Sequence, residues 1–425
     1  MDLAIIGGGA AGLWAGICAG LAARSRPSPT PLSIAVFEGG PRPGVKILMS
    51  GGTRCNVTHR VVRAEDYYGA NPHRVSKVLR AHPPERTREI FATSLELDLK
   101  EEDDGRIFPR DDRAQSVLEA LLTGLSRAGV PLLRGRRCRR IDREENHWRI
   151  GFDTPSGTAE ARARRIILAT GGCSYPQTGS DGLGLRIAET LGHRLVPPVP
   201  ALTPLALSGS LHGNLAGVSC PAVLRLLADG REERRSSGPL LWTHRGVSGP
   251  AVLDLSGAWS RLRRDRPEAA VEVVAGFGGA RPEELEARWK TAAVSGAATL
   301  RHLLPIPERM LSALAQPLGL SPSDRLAQIP RELRREFIAQ VTRFPLPVTG
   351  VLGFKKAEVT SGGVPLEELD QGLESRAAPG VHLCGEMLHV DGRMGGFNFQ
   401  WAWSSASVAA ECAVERLAAG SGETA

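Results

Sequence analysis

An apolar tetrapeptide, Leu3–Ile6, runs directly into Gly7, Gly8, Gly9, Ala10, Ala11 and Gly12, and then into an Ala-rich stretch that reaches about Ala23. This strand, Gly-x-Gly-x-x-Gly, helix order constrains the fold of the chain more than any other feature, because it is the local geometry that wraps backbone around a dinucleotide pyrophosphate. Gly7 permits the tight turn, Gly9 lets a phosphate approach the main chain, and Gly12 lets helix and strand pack closely. The first helical turn, with Ala10 and Ala11, offers unpaired N–H groups and a positive dipole end. With 49 glycines in 425 residues, chance alone supplies about 0.6 such matches, so the flanking elements and a downstream acid must carry the assignment. A second apolar strand, residues 33–37, ends in Glu38. That acid lies 26 residues past Gly12 instead of the usual ~20, which a Pro/Ser loop over residues 24–31 accounts for. A carboxylate there accepts ribose hydroxyls and repels a 2′-phosphate, so FAD or NAD fits this turn and NADP does not.

Two further segments return the chain to the same place. Strands are expected over residues 136–141 and 149–152, followed by the apolar strand Arg165–Leu168, which ends in Ala169, Thr170, Gly171 and Gly172. An apolar strand ending in Ala-Thr-Gly-Gly is characteristic of FAD proteins, where Thr170 and Gly171 come back to the cofactor beside the first turn. Cys138, on the strand before it, is grouped with the cofactor-binding residues. Residues 178–184 precede a helix over 185–191 and resemble the Thr-Gly-Asp-Gly segment of the fumarate reductase and ketosteroid dehydrogenase class, with a serine inserted. Near the end of the chain, a strand over 381–384 leads into Gly385 and Glu386, then Asp391, Gly392, Gly395, Gly396, Phe397, Asn398 and a helix over about 399–417. Glu386 is expected near the ribityl chain and pyrophosphate. The turn at Gly396, Phe397 and Asn398 aims a helix N-terminus at the flavin, where the dipole stabilises negative charge on reduction.

Between these segments the pattern changes. Pro197, Pro198, Pro200 and Pro204 mark a linker, and short strand-like runs follow at 202–207, 222–227, 240–243 and 271–275. Residues 282–341 read as helical, with Pro307 and Pro330 at helix starts. The expectation is an α/β protein. A Rossmann-type FAD-binding domain spans 1–192 and 353–425, and an inserted β-barrel-like domain spans 193–280 and 342–352. That domain carries a helical insert over 281–341.

The seven cysteines contain no C-x-x-C pair, so neither a disulfide framework nor a metal site is indicated, and a reducing cytoplasm is the expected compartment. Residues 5–23 have the length of a signal peptide, but Asp2 stands where a basic n-region belongs, and no membrane segment is read. Net charge is +7, and only six of the 53 basic residues are lysine. Arginines cluster over 134–140, 162–165, 231–235, 261–266 and 331–335, either as a phosphate-binding surface for RNA or as solvated faces of an arginine-rich protein.

The motifs KILMSGGTRCN (46–56), EEDDGRIFP (101–109), THRGVSGP (243–250), AEVTSGGV (357–364) and GEMLHVDGRMGGFNFQW (385–401), with Ala169 to Gly172, resemble the BaiN/RdsA family of FAD-dependent oxidoreductases, also described as aminoacetone-oxidase-like flavoproteins. The match covers nearly the whole chain. It departs from the family at Thr53, where a third glycine is usual, at Val57 and His59 for Phe and Asn, at Met394 for Thr and at Phe397 for Tyr. None of these touches the phosphate-binding glycines.

The resemblance implies noncovalent FAD and one of three activities: reduction of uridine to dihydrouridine in large-subunit (23S) ribosomal RNA, reduction of conjugated double bonds in oxo-bile acids, or oxidation of aminoacetone. A non-catalytic, flavin-stabilised RNA-binding factor is the reading from a different class. For the reductive chemistry, Cys55 reads as a proton donor or as a small core residue. His244 and Ser248 read as proton and oxyanion donors or as structural residues, and Lys46 as an anchor for FAD phosphate or a carbonyl oxygen, or as a surface lysine. No second Gly-x-Gly-x-x-Gly follows a strand, so NAD(P)H is expected to visit the flavin transiently as electron donor. Ribosomal RNA or a small molecule is the expected partner; the sequence leaves the oligomeric state open.

Overall fold

A computed structural model describes residues 1–26, 31–279 and 281–419, so residues 27–30 of the Pro/Ser loop expected before the second strand lie outside the described residues. The chain divides into two compact units, Met1–Val199 with Glu358–Ala425, and Pro200–Ala357. Each has its own apolar core.

In the first unit Leu3–Ile6 has no polar position to alternate with, which is the pattern of a strand covered on both faces. It forms the centre of a five-stranded sheet in which Leu3 pairs with Ile34 on one side and Arg165 on the other, both in parallel. The order is Val381–Leu383, Arg165–Leu168, Leu3–Ile6, Ile34–Phe37, Leu132–Leu133. Strand order therefore reverses between Leu3–Ile6 and Arg165–Leu168. The crevice beyond their carboxyl ends is where open α/β sheets bind ligands.

Helix Ala10–Arg24 is small and apolar on all sides, and every residue from Ala11 to Gly20 is buried. That composition is stable only in a helix covered all round. The cover is the closing helix Phe397–Ala419: Trp14 Nε1 donates to Ser407 Oγ at 2.8 Å, and the Trp14 and Trp403 rings lie 4.9 Å apart. An antiparallel meander, Arg137–Arg143, Trp148–Thr154 and Gly157–Ala163, is appended to this unit.

In the second unit seven antiparallel strands follow the order Phe344–Leu346, Val271–Phe277, Ser219–Ala228, Arg231–Thr243, Gly246–Ser248, Leu205–Leu207, Val348–Val351. The two edge strands are separated in sequence by Pro347 alone, so the sheet curls until its edges meet. Helix Arg331–Thr342 packs on Val271–Phe277 and Phe344–Leu346, and helices Pro282–Ala293 and Glu308–Ala315 pack against that helix; Pro307 and Pro330 immediately precede Glu308–Ala315 and Arg331–Thr342.

Two sequence expectations are corrected. The prolines expected to mark a linker belong in part to a strand, Val196–Ala201, which pairs with Val359–Gly363 in a two-stranded sheet. Proline's fixed φ suits extended backbone, and a strand with one neighbour tolerates a missing donor on its free side. Helix Pro250–Asp265 was not anticipated. It opens with proline at its first position after Gly249 at φ +92°. Among the described residues no helix is long and apolar enough to cross a membrane.

Candidate dinucleotide and redox site

The three glycines of the first turn have three different surroundings. Gly7 has φ +115°, and a Cβ there would lie 2.4 Å from the Ala169 carbonyl oxygen, so Gly7 is where the two strands beside the crevice converge. At Gly12 a Cβ would lie 1.8 Å from the Gly7 carbonyl oxygen, which fixes helix against turn. Gly9 has nothing within 4 Å of its Cβ position. An open cradle at the middle glycine, walled by Gly7 and Gly12 and faced by the helix N-terminus, is what a pyrophosphate requires, and the residues fit FAD on this test.

Glu38 ends the second strand beside this cradle. Its Oε2 accepts the Gly8 N–H at 2.8 Å and its Oε1 accepts the Gly40 N–H at 2.6 Å. Burial pushes its carboxyl up, against the pull of the Gly40, Gly8 and Gly39 amides. Each oxygen keeps acceptor capacity, enough for two ribose hydroxyls. Cys138 is buried nearby: its neighbour Arg137 has its Cα 3.4 Å from the Cβ position of Gly39, and burial pushes the Cys138 thiol up to about 12.

A second cluster joins three segments that lie far apart in sequence. Lys46, on the short helix Val45–Met49, forms an ion pair with Glu386 and donates to Ser174 Oγ at 2.5 Å. Ser174 Oγ in turn donates to Glu386 Oε1 at 2.6 Å, and the Thr360 N–H donates to the same oxygen at 2.9 Å. Burial pushes the Glu386 carboxyl up, but the Lys46 ammonium and these hydrogen bonds outweigh it and hold the group below its ordinary value. Lys46 is therefore the counter-ion of Glu386. Sequence reading named Lys46 and Glu386 separately and missed Ser174 and Thr360, although both sit in or beside glycine-containing motifs, Ala169–Gly172 and AEVTSGGV.

The other residues expected to bind the cofactor have the following surroundings. Thr170 Oγ1 lies 1.7 Å from where a Cβ on Gly184 would be, and Gly171 adopts φ +74°. Gly385, at φ +75°, packs against Ala11, with 2.8 Å between its Cβ position and the Ala11 methyl. At the closing helix, Gly396 has φ +91°. The Phe397 ring is fully buried, stacked on His59 at 5.0 Å with the Arg393 guanidinium 4.1 Å from its centre. The Asn398 amide is occupied by both backbone groups of Gly392, each at 2.8 Å. The side chains of Phe397 and Asn398 thus lock the turn at the start of the helix.

The loop before Cys55 is left-handed at Gly51 (φ +54°), Gly52 (φ +65°), Thr53 (φ +73°) and Cys55 (φ +58°). Arg54 braces it, bonded at 2.5 Å to both Glu102 and Asp112 and lying 4.0 Å over the Phe108 ring, so EEDDGRIFP and the loop form one assembly. Cys55 itself has no exposed surface, and burial pushes its thiol up to about 12 against a hydrogen bond with Ser50. A general acid must come within hydrogen-bond reach of its substrate. The Cys55 thiol lies in the core of the first unit. His244 and Ser248 belong to the second unit, His244 exposed between strands and Ser248 half-buried at the end of Gly246–Ser248.

A parallel sheet with this cradle at its switch point, an acid at the end of the second strand, Glu38, and a counter-ion-stabilised acid at Glu386 suit the class of Rossmann-type FAD-dependent oxidoreductases. Residues 1–412 match the HI0933-like protein Rossmann domain, and the chain belongs to that family. It is 32% identical over 429 residues to the ribosomal RNA dihydrouridine synthase of Escherichia coli (strain K12), covering 98% of both chains. It is also 32% identical over 423 residues to the 3-dehydro-bile acid delta(4,6)-reductase of Clostridium scindens, covering 97% of this chain and 99% of that one. Among solved structures, the 3-ketosteroid delta1-dehydrogenase of Sterolibacterium denitrificans shares the fold at TM-score 0.52 and 12% identity, over 98% of this chain and 99% of that chain.

Proposed function

We propose that this protein is a reductase of carbonyl-conjugated carbon–carbon double bonds and that its substrate is uridine in large-subunit ribosomal RNA, converted to dihydrouridine. The observation that carries this reading is the end-to-end similarity to a relative named for that reaction, in a chain that keeps the dinucleotide cradle. The bile acid relative supports the shared chemistry, since a uracil ring and a 3-oxo-4,6-diene both present an alkene conjugated to a carbonyl. It also keeps open a small-molecule substrate as the second reading.

The reduced form of FAD, when bound, would supply a hydride to one alkene carbon, and a proton must reach the other. In this proposal Gly7 to Gly12 hold the pyrophosphate, Glu38 takes the ribose, and the Lys46–Glu386 pair fixes the strand end that leads into the closing helix. That helix stabilises negative charge at the cofactor through its dipole. His244, accessible where Cys55 is not, is the proposed proton donor, and Ser248 the proposed donor to the carbonyl oxygen as it gains charge. NAD(P)H is the proposed source of the electrons, and the cytoplasm, where ribosomal RNA is made, the proposed compartment. Mass spectrometry of digested ribosomal RNA from a strain lacking the gene tests the reading: one dihydrouridine should be lost, and unchanged content would remove the RNA assignment.

A further inference from the structure

The charge of the chain is unevenly divided between its units. Pro200–Ala357 holds 21 Lys and Arg against 14 Asp and Glu, while the rest of the chain holds 32 of each, so the whole net charge of +7 sits on the second unit. Within it, residues 301–356 carry nine cations and four carboxylates.

The structure then sorts the arginine clusters by their partners. Arg137, Arg139 and Arg140 pair with Asp181, Asp153 and Glu160. Arg162, Arg164 and Arg165 pair with Glu144, Asp2 and Glu374. Arg235 pairs with Glu232, Arg264 with Asp265, and Arg266 with Asp229 and Glu233. Arg134, Arg136, Arg231 and Arg263 of these clusters have no acidic partner among the described residues either, so what sets the cluster on helix Arg331–Thr342 apart is the local excess of cations over residues 301–356. Arg334 reaches Glu286 at 3.1 Å, but Arg331 and Arg335, exposed and one turn apart, have no acidic partner among the described residues. The same holds for exposed Arg325 before the helix and Arg343 just after it. Glu332 and Glu336 occupy the neighbouring strip of the helix, about 100° round. Phe337, Ile338 and Val341 are buried on the strip that flanks the arginines on the other side, so Arg331 and Arg335 sit at the border of the buried face while Glu332 and Glu336 lie farthest from it.

We propose that Arg331 and Arg335, which share one strip of the helix, with Arg325 and Arg343 flanking its ends, contact the phosphate backbone of the RNA substrate, an inference that rests on the reading of ribosomal RNA as substrate. Guanidinium groups match phosphate oxygens in a bidentate fork. From Arg331 to Arg343 the cations extend roughly 18 Å along the helix axis, which suits a linear polyanion better than a single anionic group.

The test uses the FAD-loaded full chain and an unmodified 23S ribosomal RNA transcript, with binding measured across a salt series. Parent protein should show log affinity falling against log salt with a slope of several units. The Arg331→Gln/Arg335→Gln variant should lose roughly 1.4 to 1.8 units of slope and at least about tenfold in affinity near 0.1 M salt, with unchanged FAD content. An Arg139→Gln/Arg235→Gln variant, which removes the same charge from paired sites, should keep the parental slope. A parental slope in the Arg331/Arg335 variant would overturn this face while leaving the RNA substrate standing. Absence of salt-dependent RNA binding by the parent protein would overturn both.

Discussion

Lys46 and Glu386, 340 residues apart in the chain, form an ion pair in which both side chains are largely withdrawn from solvent. Removing the cation leaves a carboxylate held only by Ser174 and Thr360, so Lys46→Met should cost about 2 kcal/mol of stability, much of it recovered in a Lys46→Met/Glu386→Gln double variant. Because the folded carboxyl titrates below its ordinary value of 4.5, its contribution is complete above that pH and is lost as pH falls through the lowered value. Glu386→Gln should therefore flatten the acid limb of the stability curve below about pH 4.5. Urea unfolding across pH checks both outcomes, and a Lys46→Met protein as stable as the parent would count against the pair.

Gly9 and Gly12 should separate cofactor binding from folding. Gly9→Val places its side chain in the open cradle and should give a protein that folds with parental stability and carries no FAD. Gly12→Ala drives a methyl into the Gly7 carbonyl, 1.8 Å from its Cβ position, and should destabilise the fold itself. Melting temperature of the apoprotein, alongside FAD stoichiometry from absorbance, distinguishes the two.

Thr53 is an exposed β-branched residue at φ +73°, at the position where the BaiN/RdsA family usually has glycine. Such a residue in the left-handed region carries roughly 1–2 kcal/mol of strain, partly offset by the greater unfolded-state freedom of glycine. Thr53→Gly should stabilise the protein by about 0.5–1 kcal/mol. No gain in denaturant midpoint would show that the loop relaxes around threonine.

The dinucleotide turn was legible because its information is local: four apolar residues, three glycines at fixed spacing and an acid at a strand end. The strand Arg231–Thr243 was only partly legible, since its first half, REERRSSG, is polar and mostly solvent-facing and alternates no apolar residues. The Lys46–Ser174–Glu386 cluster was not legible as a unit, because nothing in a linear motif shows that three segments converge. The burial of Cys55 was not legible either: its place in a glycine-rich loop suggests access, whereas its side chain lies in the core, next to Arg54 with its contacts to Glu102, Asp112 and Phe108.

The proton-donor assignment is tested by reoxidation of pre-reduced flavin by substrate under anaerobic conditions. His244→Ala should slow that step by ~10²-fold or more with FAD content unchanged, while Cys55→Ala should reoxidise close to the parental rate and show mainly a loss of stability. The opposite pattern would return the donor role to Cys55 and require the braced loop to open during turnover.

The central claim is that the reduced cofactor of this protein passes its electrons to a uracil ring in RNA. The direct measurement is a single anaerobic turnover: photoreduced, FAD-loaded protein mixed with unmodified 23S ribosomal RNA transcript, with flavin absorbance followed in time and the RNA then digested for mass spectrometry. The account predicts flavin reoxidation matched mole for mole by dihydrouridine at one position. Reduced flavin that stays reduced with the transcript, yet reoxidises rapidly with a small-molecule enone or with oxygen, would contradict it.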